Sequence, residues 1–180
     1  MSEAQPRPLT FRVAGPADVP AIVALVEASF RGDASRAGWT TEADLLDGQR
    51  TDAQEVGDHL ANPQARFLLA LDEDKLVGSV LIKDDHGCGY GGMLSVSPDQ
   101  QTSGLGSQML ALAERALVEE FGVDEAAMTV IAQRTELIAY YERRGWRVTD
   151  ERRPFPYGEP RFGRPKRDDL EFVVLRKALR

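Results

Sequence analysis

Residues 89–131 constrain the fold most strongly, because they combine two apolar strand patterns with a glycine-bearing turn and a long helical pattern. The helix is predicted over residues 104–121, where apolar residues recur three and four positions apart. Two strands joined by a helix normally lie parallel in one sheet, and the connection is almost always right-handed. We therefore predict a parallel βαβ crossover at residues 89–131.

The remaining segments predict further strands and helices around this unit. Strands are indicated at residues 9–14, 65–74, 75–87, 88–98, 126–132, 146–153 and 169–179, and helices at 16–30, 40–46, 53–61 and 135–145. Short turns favour antiparallel pairing of the second, third and fourth strands. The predicted fold class is α/β (α+β), with a mixed, mostly antiparallel seven-stranded sheet and helices on both of its faces.

Length and composition favour a single globular domain over residues 1–180. The chain is 42% hydrophobic and 28% charged, which indicates neither disorder nor a fibrous repeat. Its 29 acidic and 22 basic residues give a formal net charge of −7, which disfavours a surface that binds nucleic acid. We therefore expect no nucleic-acid partner.

The sequence has no feature of a membrane-bound or disulfide-bonded protein. The opening MSEAQPRPLT lacks the apolar core of a signal peptide, and no stretch of about 18 apolar residues could span a bilayer. Cys88 is the only cysteine, so it can form no internal disulfide and belongs to no multi-cysteine metal site. We expect a cytoplasmic protein with no membrane partner and no bound metal.

The turn before the long helix carries two glycines, Gly104 and Gly106. The first N–H groups of a helix have no intrahelical partner, and the helix dipole adds about half a positive charge there. Glycines let a phosphate approach these groups, so the turn is a candidate anion site. No lysine follows the glycines as a P-loop requires, and Met109 replaces the third small residue of the dinucleotide fingerprint. A turn that only shapes the chain is the alternative.

The wider sequence resembles two motifs of the GCN5-related N-acetyltransferase (GNAT) family. Its acetyl-CoA motif, V-x-P-x-x-Q/R-x-x-G-x-G/A, is matched at every fixed position by Val96, Pro98, Gln101, Gly104 and Gly106. Its second motif, a tyrosine and charged residues before a glycine and an aromatic residue, is matched by Tyr141, Glu142, Gly145 and Trp146.

The resemblance implies the GNAT fold and an acetyltransferase that uses acetyl-CoA as its co-substrate. It implies that the cofactor contacts Leu94, Ser95 and Val96 with its acetyl and pantetheine part, Gln101 of the motif, and Thr102, Ser103, Gly104, Leu105, Gly106 and Ser107 with its pyrophosphate. Many relatives carry arginine at the positions of Thr102 and Ser103, and asparagine at that of Arg134. Without that arginine, the pyrophosphate site is expected to depend on backbone N–H groups, hydroxyls and the helix dipole.

Direct transfer of an acetyl group to a primary amine in a ternary complex needs an oxyanion donor and an acid for the departing thiolate. By the resemblance, the backbone N–H of Leu94 or Val96 is the oxyanion donor and Tyr141 is the acid. A phenol is protonated at neutral pH and can donate without activation. The neighbouring Tyr140 is the alternative acid.

The base that accepts the amine proton is not visible in the sequence. No carboxylate lies on the strand before the glycine turn, so a water relay is the predicted route. His86 lies in the preceding turn, where a lone histidine is usually solvated. Cys88 lies two residues further on, but without an oriented third partner it is more typical of a small buried residue than of a nucleophile.

Two loops, residues 35–46 and 155–163, occupy the positions that border the acceptor groove in the family that the chain resembles. Within them, Trp39, Glu42 and Phe155 are candidates to hold an amine or its carbon skeleton. The acceptor can be a small molecule or a protein amino group. The alternative function is a non-catalytic sensor that binds CoA or an acyl-CoA, and a homodimer is a further possibility because many relatives form one.

Overall fold

The computed structural model describes residues 8–180; residues 1–7, part of the opening segment from which a cytoplasmic location is expected, lie outside the described part. The strands are β1 (Thr10–Val13), β2 (Leu46–Asp47), β3 (Ala65–Asp72), β4 (Lys75–Asp85), β5 (Cys88–Val96), β6 (Glu125–Ile131), β7 (Arg147–Pro154), β8 (Arg164–Pro165) and β9 (Glu171–Ala178). The helices are α1 (Val19–Phe30), α2 (Gly32–Ser35), α3 (Ala53–Ala61), α4 (Leu105–Phe121) and α5 (Thr135–Glu142). Within residues 8–180, no helix has the length and apolar character needed to cross a membrane.

Seven strands form the main sheet in the order β1-β3-β4-β5-β6-β9-β7. Neighbouring strands are antiparallel except β5 and β6, which are parallel. Helix α4 connects this parallel pair, so the predicted crossover at residues 89–131 is confirmed. The predicted mixed, mostly antiparallel seven-stranded sheet is confirmed with it.

Strand β3 shows how alternating side chains build a core on each face of the sheet. Phe67 and Leu69 pack with the apolar residues of α1 and α3 on one face. Leu68 and Ala70 pack on the opposite face, which α4 covers. Helices therefore lie on both faces, as predicted, and removing these side chains from water stabilises both layers.

The predicted helix at residues 40–46 is wrong. These residues form turns that lead into β2, which pairs with β8 in a separate two-stranded sheet. The Thr41 hydroxyl accepts a hydrogen bond from the Ala43 amide at 3.1 Å, so it closes a turn instead of capping a helix. Lys166 Nζ donates to the Ala43 carbonyl at 2.7 Å. Contacts with a distant segment therefore override the local helix propensity.

The proline- and glycine-rich segment between β7 and β9 folds over one end of the sheet. Phe155 is buried there with Leu46, Ile131 and Leu170. Arg161 forms a paired hydrogen bond with Asp52, the N-cap residue of α3, at 2.9 and 3.0 Å. These contacts hold the segment beside the loop that follows α1.

Candidate active site

The parallel strands β5 and β6 separate after only two residue pairs, Gly89 with Ala126 and Tyr90 with Ala127. Residues 91–96 have no partner in β6, so one backbone edge of β5 is left open. A bulge at Met93, whose φ is 46°, shifts the register with β4 at this point. The bulge therefore lies in the same part of β5 that separates from β6.

The separated strands open into a cavity of about 310 Å³, a volume typical of small-molecule sites. The cavity extends from Gly106, at the start of α4, past Leu94 and Tyr141. It then reaches Arg50 and Phe155 in the two loops that cover the other end. A single space therefore connects the glycine turn with the predicted acid and the predicted acceptor loops.

The structure brings only part of the predicted site residues to this cavity. Those that line it are Trp39, Glu42, Leu94, Val96, Gln101, Gly106, Tyr141 and Phe155. Those that do not are Ser95, Thr102, Ser103, Gly104, Leu105 and Ser107. Among the latter, the Ser95 hydroxyl donates to the Met93 carbonyl at 3.0 Å, which stabilises the bulge, and Leu105 packs in the core.

Beside the cavity, the N-terminus of α4 has backbone amides without acceptors in the described part of the chain. Gly104 is the N-cap residue with φ 84° and ψ 1°, a left-handed conformation that favours glycine. Within residues 8–180, the amides of Leu105, Gly106 and Ser107 have no hydrogen-bond acceptor, as expected for a first helical turn. These amides and the helix dipole make the turn suited to an anion.

A guanidinium group that the sequence analysis missed lies at this helix end. Arg144 Nε donates to Ser107 Oγ at 2.8 Å, and the guanidinium lies 3.4 Å from the centre of the Tyr140 ring. The Tyr140 hydroxyl is 3.2 Å from the same Ser107 oxygen. Tyr140 and Arg144 are four residues apart, a spacing that places both on one side of the chain and could have indicated the pair. A positive charge is therefore present near the turn without an arginine at residues 102 and 103.

The Gln101 side chain joins the glycine turn to the loop after α1. Its Oε1 accepts hydrogen bonds from the amides of Trp39 and Thr40 at 2.8 and 3.2 Å. Its Nε2 donates to Thr40 Oγ1 at 2.8 Å and to the Val96 carbonyl at 3.0 Å. The cofactor contact predicted for Gln101 stays a prediction, and its side-chain amide makes four hydrogen bonds within the protein.

Tyr141 lines the cavity and is buried, with 6% of its surface exposed. Within residues 8–180 its hydroxyl has no hydrogen-bond partner, whereas the Tyr140 hydroxyl pairs with Ser107. Burial raises the pKa of the Tyr141 phenol above its ordinary value of 10.0. The phenol therefore keeps its proton at neutral pH and can donate it to a group in the cavity.

At the other end of the cavity, Glu42 is buried among three arginines. Its carboxylate lies 3.6 Å from Arg31, 4.0 Å from Arg50 and 3.7 Å from Arg134. Trp39 packs against Tyr140 with ring centres 5.1 Å apart, and so connects this loop with α5. The role predicted for Glu42 toward an amine stays a prediction, and the surrounding charge is positive.

Among the described residues that line the cavity, neither of the two carboxylates is free to act as a base. Glu42 is surrounded by arginines, and Glu114 accepts hydrogen bonds from Trp146 Nε1 at 2.9 Å and from Lys177. His86 is exposed in the turn before β5, and Cys88 does not line the cavity. The arrangement thus offers an acid and an anion site but no histidine or unpaired carboxylate.

Comparison with known proteins supplies the family. Residues 23–146 match the family model described as the acetyltransferase (GNAT) family, which is more than half of the chain. The chain belongs to this family. The matched range includes both GNAT motifs predicted above, and the resemblance is confirmed. No curated protein sequence matches the chain.

Solved structures share the GNAT fold with this chain. The ribosomal-protein-S18-alanine N-acetyltransferase of Escherichia coli aligns with a TM-score of 0.69 at 16% identity, covering 95% of this chain and 94% of that one. An N-acetyltransferase of Staphylococcus aureus Mu50 aligns with a TM-score of 0.70 at 9% identity, covering 96% and 99%. A Bacillus anthracis protein assigned as a streptothricin acetyltransferase, solved with acetyl coenzyme A, aligns with a TM-score of 0.55 at 15% identity, covering 68% and 66%. At these identities the likeness concerns the fold alone.

Proposed function

We propose that this GNAT protein is an acetyl-CoA-dependent N-acetyltransferase that moves an acetyl group directly to a primary amine of a small molecule or protein. The single observation that carries the proposal is the continuous cavity from Gly106 to Tyr141 and the acceptor loops. A cofactor seated at the start of α4 can extend through the strand separation to the buried phenol. The acceptor then enters from the side of the loops, which makes a ternary complex the natural arrangement.

The cofactor contacts divide between the glycine turn and the open edge of β5. The free amides of residues 105–107 suit the pyrophosphate, and Arg144 adds the charge that Thr102 and Ser103 do not supply. The pantetheine chain carries amides, which can pair with the open backbone of residues 91–96 as an added strand would. The N–H of Leu94 or Val96 is the proposed oxyanion donor.

The proposed reaction begins with attack of the neutral amine on the carbonyl carbon of the thioester. A C–N bond forms, the oxyanion is stabilised by the backbone donor, and the C–S bond then breaks. The departing thiolate takes the proton of Tyr141, and the extra proton on the nitrogen leaves through water, from which the Tyr141 phenolate is reprotonated. Water is the proposed route because Glu42 is ion-paired with arginines and Glu114 accepts hydrogen bonds from Trp146 and Lys177. The products are an amide and free CoA.

The lack of a free base in the cavity also favours a second candidate function. A domain that binds CoA or an acyl-CoA without turnover needs the anion site and the strand separation, but no acid or base. The unpaired Tyr141 hydroxyl supports the enzyme, because a buried phenol with no partner inside the protein is suited to a ligand. The single domain over residues 1–180, the homodimer and the cytoplasmic location stay predictions alongside either function.

Thiol release from acetyl-CoA tests the proposal, with polyamines, amino acids, aminoglycosides and peptides as acceptors. At least one amine class should raise thiol release above the rate with water alone. The Tyr141→Phe variant should lose about 100-fold or more in kcat while it binds acetyl-CoA as tightly as the wild type. Tyr157→Phe is the comparison variant: Tyr157 does not line the cavity, and the two hydrogen bonds that its exposed hydroxyl loses, to the Arg167 carbonyl and from the Leu170 amide, lie outside it.

The two functions predict different results in the same experiment. Binding of acetyl-CoA in a calorimetric titration, together with no amine-dependent thiol release, would establish the sensor function. Equal rates for Tyr141→Phe and Tyr157→Phe would keep the enzyme but remove Tyr141 from the acid role, and Tyr140→Phe would then be the next variant.

A further inference from the structure

The acceptor end of the cavity contains an arginine cluster, which we define as Arg31, Arg50 and Arg134 around Glu42. The side chains of Arg31, Arg134 and Glu42 are 4%, 10% and 6% exposed, and that of Arg50 is 28% exposed. Three cations and one anion leave this end of the cavity positive. The next carboxylate, that of Glu27, accepts hydrogen bonds from the amides of Arg50 and Thr51 and does not line the cavity.

The ion pairs inside the cluster are longer than hydrogen bonds. The separations of 3.6, 4.0 and 3.7 Å from Glu42 exceed the range of about 2.7–3.2 Å for N–H···O contacts. Glu42 Oε1 and Arg31 Nε are buried without a hydrogen-bond partner within residues 8–180. Unpartnered buried polar atoms are rare and costly in folded proteins, so the cluster is incomplete as it stands.

The three guanidinium groups differ in how much of their hydrogen-bonding capacity is used. Arg31 donates to the Gln49 carbonyl at 2.6 Å and to the Phe162 carbonyl at 3.3 Å, and Arg134 donates to the Thr40 carbonyl. The Arg50 guanidinium makes no hydrogen bond within residues 8–180. It is partly exposed to the cavity and can form two parallel hydrogen bonds with a planar anion.

We propose that the acceptor of this enzyme carries an oxyanion, a carboxylate or a phosphonate, which Arg50 binds with the support of Arg134. The inference rests on the proposed function, since it names the substrate class of the same site. The amine of the acceptor lies toward Leu94 and Tyr141, and its carbon skeleton lies against the apolar walls near Phe155. Polycationic acceptors, such as polyamines and aminoglycosides, are repelled by the positive end of the cavity.

Paired acceptors that share a carbon skeleton and differ in the group next to the amine test the proposal. Amino acids are compared in the thiol-release assay with their carboxamides and with the corresponding 1-aminophosphonates, which separates a carboxylate site from a phosphonate site. The anionic member of a pair should have a kcat/KM at least about 10-fold above that of the carboxamide. A factor of this size is what one charge-assisted hydrogen bond adds to binding. Polyamines should be poor acceptors.

Arg50→Gln should raise the KM for the anionic acceptor by about 10- to 100-fold and leave the KM values for acetyl-CoA and for the carboxamide within about twofold of the wild type. Arg50→Lys should restore part of the affinity, because it keeps the charge but not the paired geometry. Arg36→Gln is the control: Arg36 is exposed, pairs with Asp44 at 2.9 Å and does not line the cavity. The split between the KM values separates an anion contact from a general loss of structure.

Failure of this proposal is distinguishable from failure of the proposed function. Thiol release that is equal for acids and carboxamides, or that is fastest with polyamines, would overturn the anionic acceptor and keep the enzyme. If no amine is acetylated, calorimetric titration of the amino acids and aminophosphonates into the CoA-bound protein decides whether the anion site exists. Binding that Arg50→Gln abolishes would support the anion site, and no binding by any of them would refute it.

Discussion

At the scale of single residues, the buried phenol of Tyr141 predicts a particular pH dependence. Burial raises its pKa, so the neutral, proton-donating form persists above the ordinary phenol range of about 10. In a pH–rate profile of kcat/KM, we expect no alkaline decline that belongs to Tyr141 below about pH 10. A decline near pH 8 or 9 that is present in the wild type and lost in Tyr141→Phe would contradict this assignment.

Arg144 should contribute to cofactor binding through its position at the start of α4. Loss of a charge-assisted contact predicts that Arg144→Gln raises the KM for acetyl-CoA by about 10-fold, with a small change in kcat. The effect should shrink in high salt, because the interaction is partly exposed. Arg143→Gln is the matched control, since Arg143 is the next residue in the chain and its side chain is exposed. Equal KM values for the two variants would remove Arg144 from the cofactor site.

The residues that the sequence analysis missed are those whose role depends on distant partners. Arg144 was missed because its contact with Ser107 crosses 37 residues of sequence. Gln101 was predicted from the motif, but its bonds to two backbone amides about 60 residues away were not. Arg50 was missed as well, since it reaches the cavity only because the loop after α1 folds over it. Residues that act through the local backbone, such as Gly104, were found because turn chemistry is local.

At the scale of secondary-structure elements, two glycines should respond to alanine in opposite directions. Gly104 adopts φ 84° at the N-cap of α4, so Gly104→Ala should lower the free energy of unfolding by about 1 kcal/mol. Gly57 lies inside α3, and a Cβ added there would meet no atom within 4 Å, so Gly57→Ala should raise the free energy of unfolding by about 0.5–1 kcal/mol. Chemical denaturation measures both values, and shifts of the same sign would contradict the backbone argument.

The long elements were predictable because their side-chain periodicity agrees with the core that they face. Alternation in β3 and three-to-four spacing in α4 correspond to the two faces of the sheet, and residues 53–61 form α3 as predicted. The segment 40–46 was not predictable in the same way. The Thr40 hydroxyl accepts a hydrogen bond from Gln101 and the Glu42 carboxylate pairs with Arg134, both in distant segments, and the short pairing of β2 with β8 leaves no periodic pattern.

At the scale of the whole molecule, the separation of β5 and β6 predicts where a bound cofactor protects the backbone. Residues 91–96 have no partner in β6, so their open edge should exchange amide hydrogens faster than fully paired strands do. Saturation with CoA should slow exchange in peptides that cover residues 91–96 and leave β3 unchanged. Hydrogen exchange with mass spectrometry measures both, and bound CoA without protection at 91–96 would place the cofactor elsewhere.

The strand separation also shows which part of the site could be predicted from the sequence. The apolar patterns of β5 and β6 are typical of buried paired strands, and nothing in their composition indicates that pairing stops after Tyr90. The charge at the acceptor end could not be predicted, since Arg31, Arg50 and Arg134 come from separate segments.

The internal opening of the sheet has a consequence for self-association. An unpaired strand edge on the outside of a sheet invites pairing with another chain, and long flat edges promote aggregation. Here the unpaired edge of β5 lies inside the molecule, between β6 and the covering loops. The outer edges are β1, which has four residues, and β7, whose exposed residues Arg152 and Arg153 carry charge. The unpaired edge of β5 is thus accessible from the cavity and shielded from pairing with another copy of the protein.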